Sequence, residues 1–253
     1  MMLPNNAVLR VVIPARYGSS RLPGKPLLDL GGKPMVVRVY EKVSEALLGA
    51  DIVVATDDDR ILDVLVKESI PTVLTADNHE SGTDRAAEVA RIFAWGDTDI
   101  VINVQGDEPL VPIEMLRSFA QFCCSHTDFS MGTIAVPIDE KAMIHDPNIV
   151  KLTVNYVGNV IAFSRAAIPV DRDGNYEKWE MLSYLRHVGV YAYSNSVLQK
   201  LTATPPCLLE NVEKLEQLRA QWLGIPVHVM KWHNSPPHGI DTPDDFARIS
   251  AYF

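Results

Sequence analysis

The 253-residue chain carries 23 Lys and Arg against 32 Asp and Glu, a formal net charge of −9. That balance argues against a nucleic-acid or anionic-membrane partner, since binders of phosphate backbones present net basic surfaces. With 47% hydrophobic and 22% charged residues it reads as an ordinary water-soluble globular protein, and no apolar run approaches the ~20 residues that span a bilayer. The charge is uneven. Residues 1–40 hold six cations and one acid, a local +5 that points to a small anionic ligand. Met1 to Ala7 lacks the apolar core of a signal peptide, and Cys123, Cys124 and Cys207 form no CxxC, so a cytoplasmic protein with buried thiols is expected.

Leu9 to Ile13 reads as a buried strand. Behind it runs Pro14-Ala15-Arg16-Tyr17-Gly18-Ser19-Ser20-Arg21-Leu22-Pro23-Gly24-Lys25-Pro26, at the carboxyl end of a strand, where open α/β sheets bind ligands. Gly18 and Gly24 permit close backbone approach, while Pro14, Pro23 and Pro26 restrict the loop. Arg16, Arg21 and Lys25 add forked and point-charge cations, and together these are the parts of a triphosphate cradle. A solvated basic loop is the plainer alternative. A Walker A loop is excluded, because Gly18 and Gly24 enclose five residues and Pro26 follows Lys25; a G-x-G-x-x-G is absent too.

Pro34 to Leu48 reads as a helix closed by Gly49, and Ile52 to Ala55 as a strand, with Thr56 as N-cap of a helix running to Glu68. A strand at Thr72 to Leu74, a helix from about Asp84 to Phe93 and a strand at Ile100 to Val104 follow. Such alternation predicts a mostly parallel sheet with helices on both faces. The strand ends in Gln105-Gly106-Asp107-Glu108-Pro109, where Asp107 could hold a divalent cation or simply make a turn hydrogen bond. Alternating runs at Met131 to Ile138, Val150 to Asn155, Val160 to Phe163 and His187 to Tyr193 then predict antiparallel or mixed additions in a smaller β-rich lobe. Leu208 to Leu223 reads as one amphipathic helix, Val227 to Trp232 as a late strand, and Asp241-Thr242-Pro243 as a helix start. Asp241 is the second candidate metal ligand, with Asp241 or Thr242 as the cap. Magnesium fits hard oxygen donors better than zinc, and none of the seven histidines has HExxH spacing.

These segments, in order, resemble the 3-deoxy-manno-octulosonate cytidylyltransferase (CMP-Kdo synthetase) family. The resemblance rests on Val12 to Arg16, Arg21 to Pro26, Ala55-Thr56-Asp57, His79 to Arg85, Asn103 to Pro109, Phe163-Ser164-Arg165, His187 to Tyr191, Leu215 to Arg219 and Asp241-Thr242-Pro243. It implies a Rossmann-like α/β nucleotidyltransferase fold of the glycosyltransferase-A type, in a single domain. Residues 1–130 would mainly bind CTP, 131–230 would form the sugar-binding and dimerisation lobe, and 231–253 would carry a metal ligand and the last helix. It further implies a homodimer that converts CTP and Kdo into CMP-Kdo and pyrophosphate for lipopolysaccharide biosynthesis. Kdo, its 8-amino analogue and related keto sugars remain open as substrates.

By the same resemblance, Pro14, Ala15, Arg16, Arg21, Lys25, Ser81, Arg85 and Gln105 enclose the nucleotide, and Asp107 and Asp241 hold magnesium. Gln105, Arg165, His187, Glu213, Glu216 and Gln217 line the sugar site, with Glu213 and Gln217 on one helical face by their i, i+4 spacing. Arg16, Lys25, Asp107 and Asp241 are the expected catalytic groups.

Overall fold

The segment Leu-Arg-Val-Val-Ile-Pro-Ala becomes strand β1 (Leu9–Ala15), with Val11, Val12 and Ile13 buried completely. The run is continuously apolar at its centre, as a parallel strand covered on both faces must be. The computed structural model describes residues 7–18, 22–174, 176, 179 and 184–253. These fall into two compact units, Met1–Thr127 with Ala192–Thr202 and Pro236–Phe253, and Asp128–Tyr191 with Ala203–Ser235.

In the first unit β1 pairs with β2 (Asp51–Thr56) and β4 (Ile100–Asn103), and β2 with β3 (Thr72–Leu74), all parallel, in the order β3-β2-β1-β4. Parallel pairing puts every carboxyl terminus at one edge. Register pairs Ala15 with Thr56 and Val12 with Asn103, so the loops after β1, β2 and β4 open side by side.

The crossovers are α1 (Met35–Ala46), α2 (Asp59–Lys67) and α3 (Gly82–Ile92). Thr56 is not the cap of α2. It closes β2, and Asp58 caps the helix, its carboxylate accepting from Arg60 N at 2.9 Å. Two helices are missing from the sequence expectations, α4 (Ile113–Ser125) and α5 (Asn195–Ala203). In α4 the buried Met115, Leu116, Phe119, Ala120, Cys123 and Cys124 recur at helical spacing, so the signal was present. Helix α8 (Pro243–Ser250) begins where Asp241-Thr242-Pro243 predicts.

The second unit contains β5 (Met131–Pro137), β6 (Lys151–Val154), β7 (Val160–Ser164), β8 (Leu185–Ser194, its last three residues in the first unit) and β9 (Val227–Lys231). β6 is antiparallel to β7 and β8, whereas β5 and β9 are parallel. The mixed sheet matches the expectation.

The single helix expected over Leu208 to Leu223 is instead α6 (Leu208–Glu213) and α7 (Leu218–Trp222). Lys214 sits at φ 54°, ψ 47°, a left-handed conformation that ends α6. A buried ion pair fixes the break: Arg219 Nε donates to Glu210 Oε2 at 2.9 Å, and Arg219 Nη1 to Thr204 O at 3.0 Å. The i, i+4 face proposed for Glu213 and Gln217 therefore does not exist. Glu213 ends one helix and Gln217 precedes the next.

Candidate active site

The edge where β1 and β4 end holds a cleft of about 210 Å³. Pro14, Ala15, Arg16 and Lys25 supply one wall, Ser81, Gly82 and Arg85 another, and Gln105, Gly106, Asp107 and Asp241 a third. The first-unit residues that sequence reasoning assigned to nucleotide and metal thus meet, apart from Arg21, which lies outside the described residues.

Lys25 is aimed by its loop. Gly24, at φ 69°, turns the chain and donates to Tyr17 O at 3.0 Å, so the loop closes just before Lys25 opens a short 3-10 turn. Lys25 Nζ then lies 2.5 Å from Asp107 Oδ2 and 3.1 Å from Asp241 Oδ1. One ammonium joins residues 216 apart in sequence.

Backbone packing brings the two carboxylates together. Ile240 N donates to Asp107 O at 2.9 Å, and a Cβ on Gly239 would lie 2.8 Å from that same oxygen. Gly106 lies against β1, where a Cβ would sit 2.5 Å from Pro14 O. Gly106→Ala should accordingly push β1 and the Asp107 loop apart. We expect a loss of about 1–3 kcal/mol in urea unfolding, the usual range for overpacking.

Of the two cap candidates, Asp241 and Thr242, it is Thr242 that caps the last helix. Thr242 Oγ1 accepts from Asp245 N at 3.2 Å, and Asp245 accepts in return from Thr242 N at 3.0 Å, a capping box. The Asp241 carboxylate meets Lys25 instead. Two carboxylates within reach of one cation suit a hard divalent ion. Among the described residues no three or more His, Cys, Asp or Glu come together in a group that could hold a metal ion.

Ser81 caps α3, accepting from Asp84 N at 3.1 Å while Asp84 accepts back from Ser81 N at 3.1 Å. The cap, together with Gly82, puts the positive end of an 11-residue helix on the cleft wall. Arg85 is buried, and its guanidinium is already engaged: Nη2 donates to Asp57 Oδ2 at 2.7 Å, and Nη1 to Thr75 Oγ1. It braces the cleft from behind, whereas Arg16 is exposed beside it. His79 and Glu80 also line the cleft, with His79 paired to Glu88, and sequence reasoning gave neither a role.

The remaining candidates, Arg165, His187, Glu213, Glu216 and Gln217, lie in the second unit. Glu213 accepts from Ser164 Oγ and from Arg165 N, each at 2.8 Å. Arg165 donates from Nε to Glu213 O at 2.7 Å and from Nη1 to Pro147 O at 2.8 Å. Glu216 is half-buried and Gln217 buried.

His187 Nε2 lies 2.9 Å from Thr133 Oγ1, whose hydroxyl is 2.9 Å from Val190 O. The carbonyl can only accept, so Thr133 donates to it and His187 Nε2 carries the ring proton. Burial, with the Arg186 charge adding to it, lowers the imidazole from 6.5 to about 3. The unfolded chain then binds a proton that the folded chain refuses, so stability falls as pH drops below about 6.5 towards 3. Between pH 6.5 and 5.5 the wild type should lose up to about 1 kcal/mol more than His187→Gln in urea unfolding, near the limit of 1.36 kcal/mol per unit for one group.

A family profile described as Cytidylyltransferase matches residues 10–227. The 3-deoxy-manno-octulosonate cytidylyltransferase 2 of Paraburkholderia phytofirmans is 55% identical over 244 residues, 96% of this chain and 93% of that one. The 3-deoxy-manno-octulosonate cytidylyltransferase of Pseudomonas syringae pv. syringae is 44% identical over 96% of this chain and 97% of its own. Among solved structures, a CMP:2-keto-3-deoxy-manno-octonic acid synthetase complexed with CTP is 38% identical, with a TM-score of 0.89 over 97% of this chain and 98% of that one. A glucose-1-phosphate thymidylyltransferase from Bacillus anthracis, described as putative, shares the fold alone, at 16% identity and a TM-score of 0.65 over 97% of this chain and 95% of that one. Identity of this extent, over nearly the full length of each relative, makes the chain a member of the 3-deoxy-manno-octulosonate cytidylyltransferase family.

Proposed function

We propose that the chain activates 3-deoxy-manno-octulosonate with CTP, forming CMP-Kdo and pyrophosphate. The observation that carries this reading is Lys25 Nζ between Asp107 and Asp241, at the mouth of a cleft walled by Arg16 and the start of α3. An ammonium, a guanidinium and a helix N-terminus suit a triphosphate, and the two carboxylates suit its counter-ion.

Asp107 and Asp241 would hold a magnesium ion, which when bound neutralises charge on the α-phosphate. Lys25 and Arg16 take the β- and γ-phosphates and stabilise charge on the departing pyrophosphate. Pro14, Ala15, Ser81 and Gln105 line the nucleoside side, while Arg85 keeps that wall in place through Asp57. The sugar's 2-hydroxyl oxygen attacks the α-phosphorus, the α–β anhydride bond breaks, and the hydroxyl proton passes to solvent. Arg165, His187, Glu213, Glu216 and Gln217, in the second unit, are the residues proposed to bind the sugar, with His187 acting as a neutral imidazole. Pyrophosphate release measured across CTP, UTP and ATP, each with Kdo, 8-amino-Kdo and sialic acid, tests the reading. CTP with Kdo should give the highest kcat/KM, and preference for another pair would overturn it.

The second unit also exposes Ile161 on β7, Leu208, Leu209 and Val212 on α6, and Trp222 on α7. We assign these exposed apolar side chains to the face of a homodimer. Multi-angle light scattering should give about twice the 28.1 kDa chain mass, and Val212→Asp should shift the protein towards monomer.

A further inference from the structure

Lys151 is fully buried on β6, yet the reaction above does not use it. Its ammonium has three N–H donors, and all have acceptors: Asp146 O at 2.8 Å, Ile149 O at 2.7 Å, and Arg165 O. No donor remains for a ligand. We propose that Lys151 is a positioning residue for the sugar-binding candidates of the second unit, fixing Arg165 and, through it, Glu213. This rests on the sugar-binding role proposed for those residues.

The geometry is that of a clamp. Lys151 holds the carbonyl of Arg165, and Glu213 Oε2 accepts from its N–H at 2.8 Å, so both polar groups of one residue's backbone are fixed from separate segments. The Arg165 side chain then closes onto Glu213 O and Pro147 O, tying residues 146–149, 164–165 and 213–214 together. His187 joins the same structure by the next strand. Lys151 pairs with Arg186 in the β6–β8 ladder, and His187 N donates to Val150 O at 2.8 Å. Two of the five second-unit sugar candidates, Arg165 and Glu213, are thus referred to one buried ammonium, and His187 is tied to the same strand by its backbone. The nucleotide and metal candidates all lie in the first unit, so the effect of Lys151 is confined to the sugar.

A buried ammonium suits the task because a single charged group can order three carbonyls at once, although Asp146 O also accepts from Ile149 N at 3.2 Å. Methionine has a similar length and fills the same space without a donor. The three carbonyls would then turn towards other donors, and Arg165 with them.

The test is steady-state kinetics of Lys151→Met with CTP and Kdo, together with calorimetric binding of CTP alone. KM for the sugar should rise about tenfold, with KM for CTP and the CTP binding constant within twofold of wild type. Should Lys151→Met fail to fold, Ser164→Ala removes the hydroxyl that donates to Glu213 and accepts from Ala166 N at 3.0 Å, and should raise the sugar KM about threefold, again sparing CTP. Unchanged sugar KM in a folded variant, or equal losses for both substrates, would overturn the proposal. If wild type itself does not use Kdo with CTP, the reading of the sugar site fails first, and the two failures are told apart.

Discussion

Lys25→Met should lower turnover roughly 100- to 1000-fold at saturating substrates, the scale expected for one well-aimed charge in a phosphoryl-type transfer. A second effect of the same change is less obvious. The ammonium sits between Asp107 and Asp241, so it competes with any cation those carboxylates could bind. Without it, two like charges face one position, and a divalent ion relieves them. Manganese binding in the absence of nucleotide, followed by electron paramagnetic resonance, should tighten by about tenfold in Lys25→Met, a shift of ~1.4 kcal/mol. Arg16→Gln should lose activity without tightening manganese, because it is the Lys25 ammonium that bridges the two carboxylates.

Asp107→Asn should have an effect of the same size, about 100- to 1000-fold in kcat, with the apparent magnesium requirement raised. The change is nearly isosteric. It keeps the backbone bond from Ile240 N to residue 107, so the loop should hold its shape. Asp241→Asn should follow in activity and spare stability, since Thr242, not Asp241, caps α8. Thr242→Ala is the converse control: about 1 kcal/mol of stability lost, with little change in kcat. A variant pair behaving the other way round would place the metal role on the wrong residue.

The cleft was legible because its parts lie at strand ends marked by glycine and proline. Gly106 turns the chain soon after β4, Gly24 with Pro23 and Pro26 shapes the loop that follows β1, and strand-end loops of a parallel sheet must share an edge. The meeting of Lys25 with Asp241 was not legible, because it depends on Ile240 pairing with Asp107 across more than a hundred residues. Helical periodicity misled over Leu208 to Leu223, where apolar spacing continues through the left-handed Lys214 and only the Glu210–Arg219 pair reveals the break. Lys151 gave no signal at all. A lysine in an alternating strand reads as a solvent-facing residue, and three carbonyl acceptors appear only when the chain is folded.

That this cleft transfers a cytidylyl group, and not a terminal phosphate, can be read from the fate of two labels. Purified protein with magnesium, Kdo and either α- or γ-labelled [32P]CTP should place the α label in a sugar-dependent product and the γ label in pyrophosphate. A γ label on the sugar, or no sugar-dependent transfer of the α label, would contradict the account.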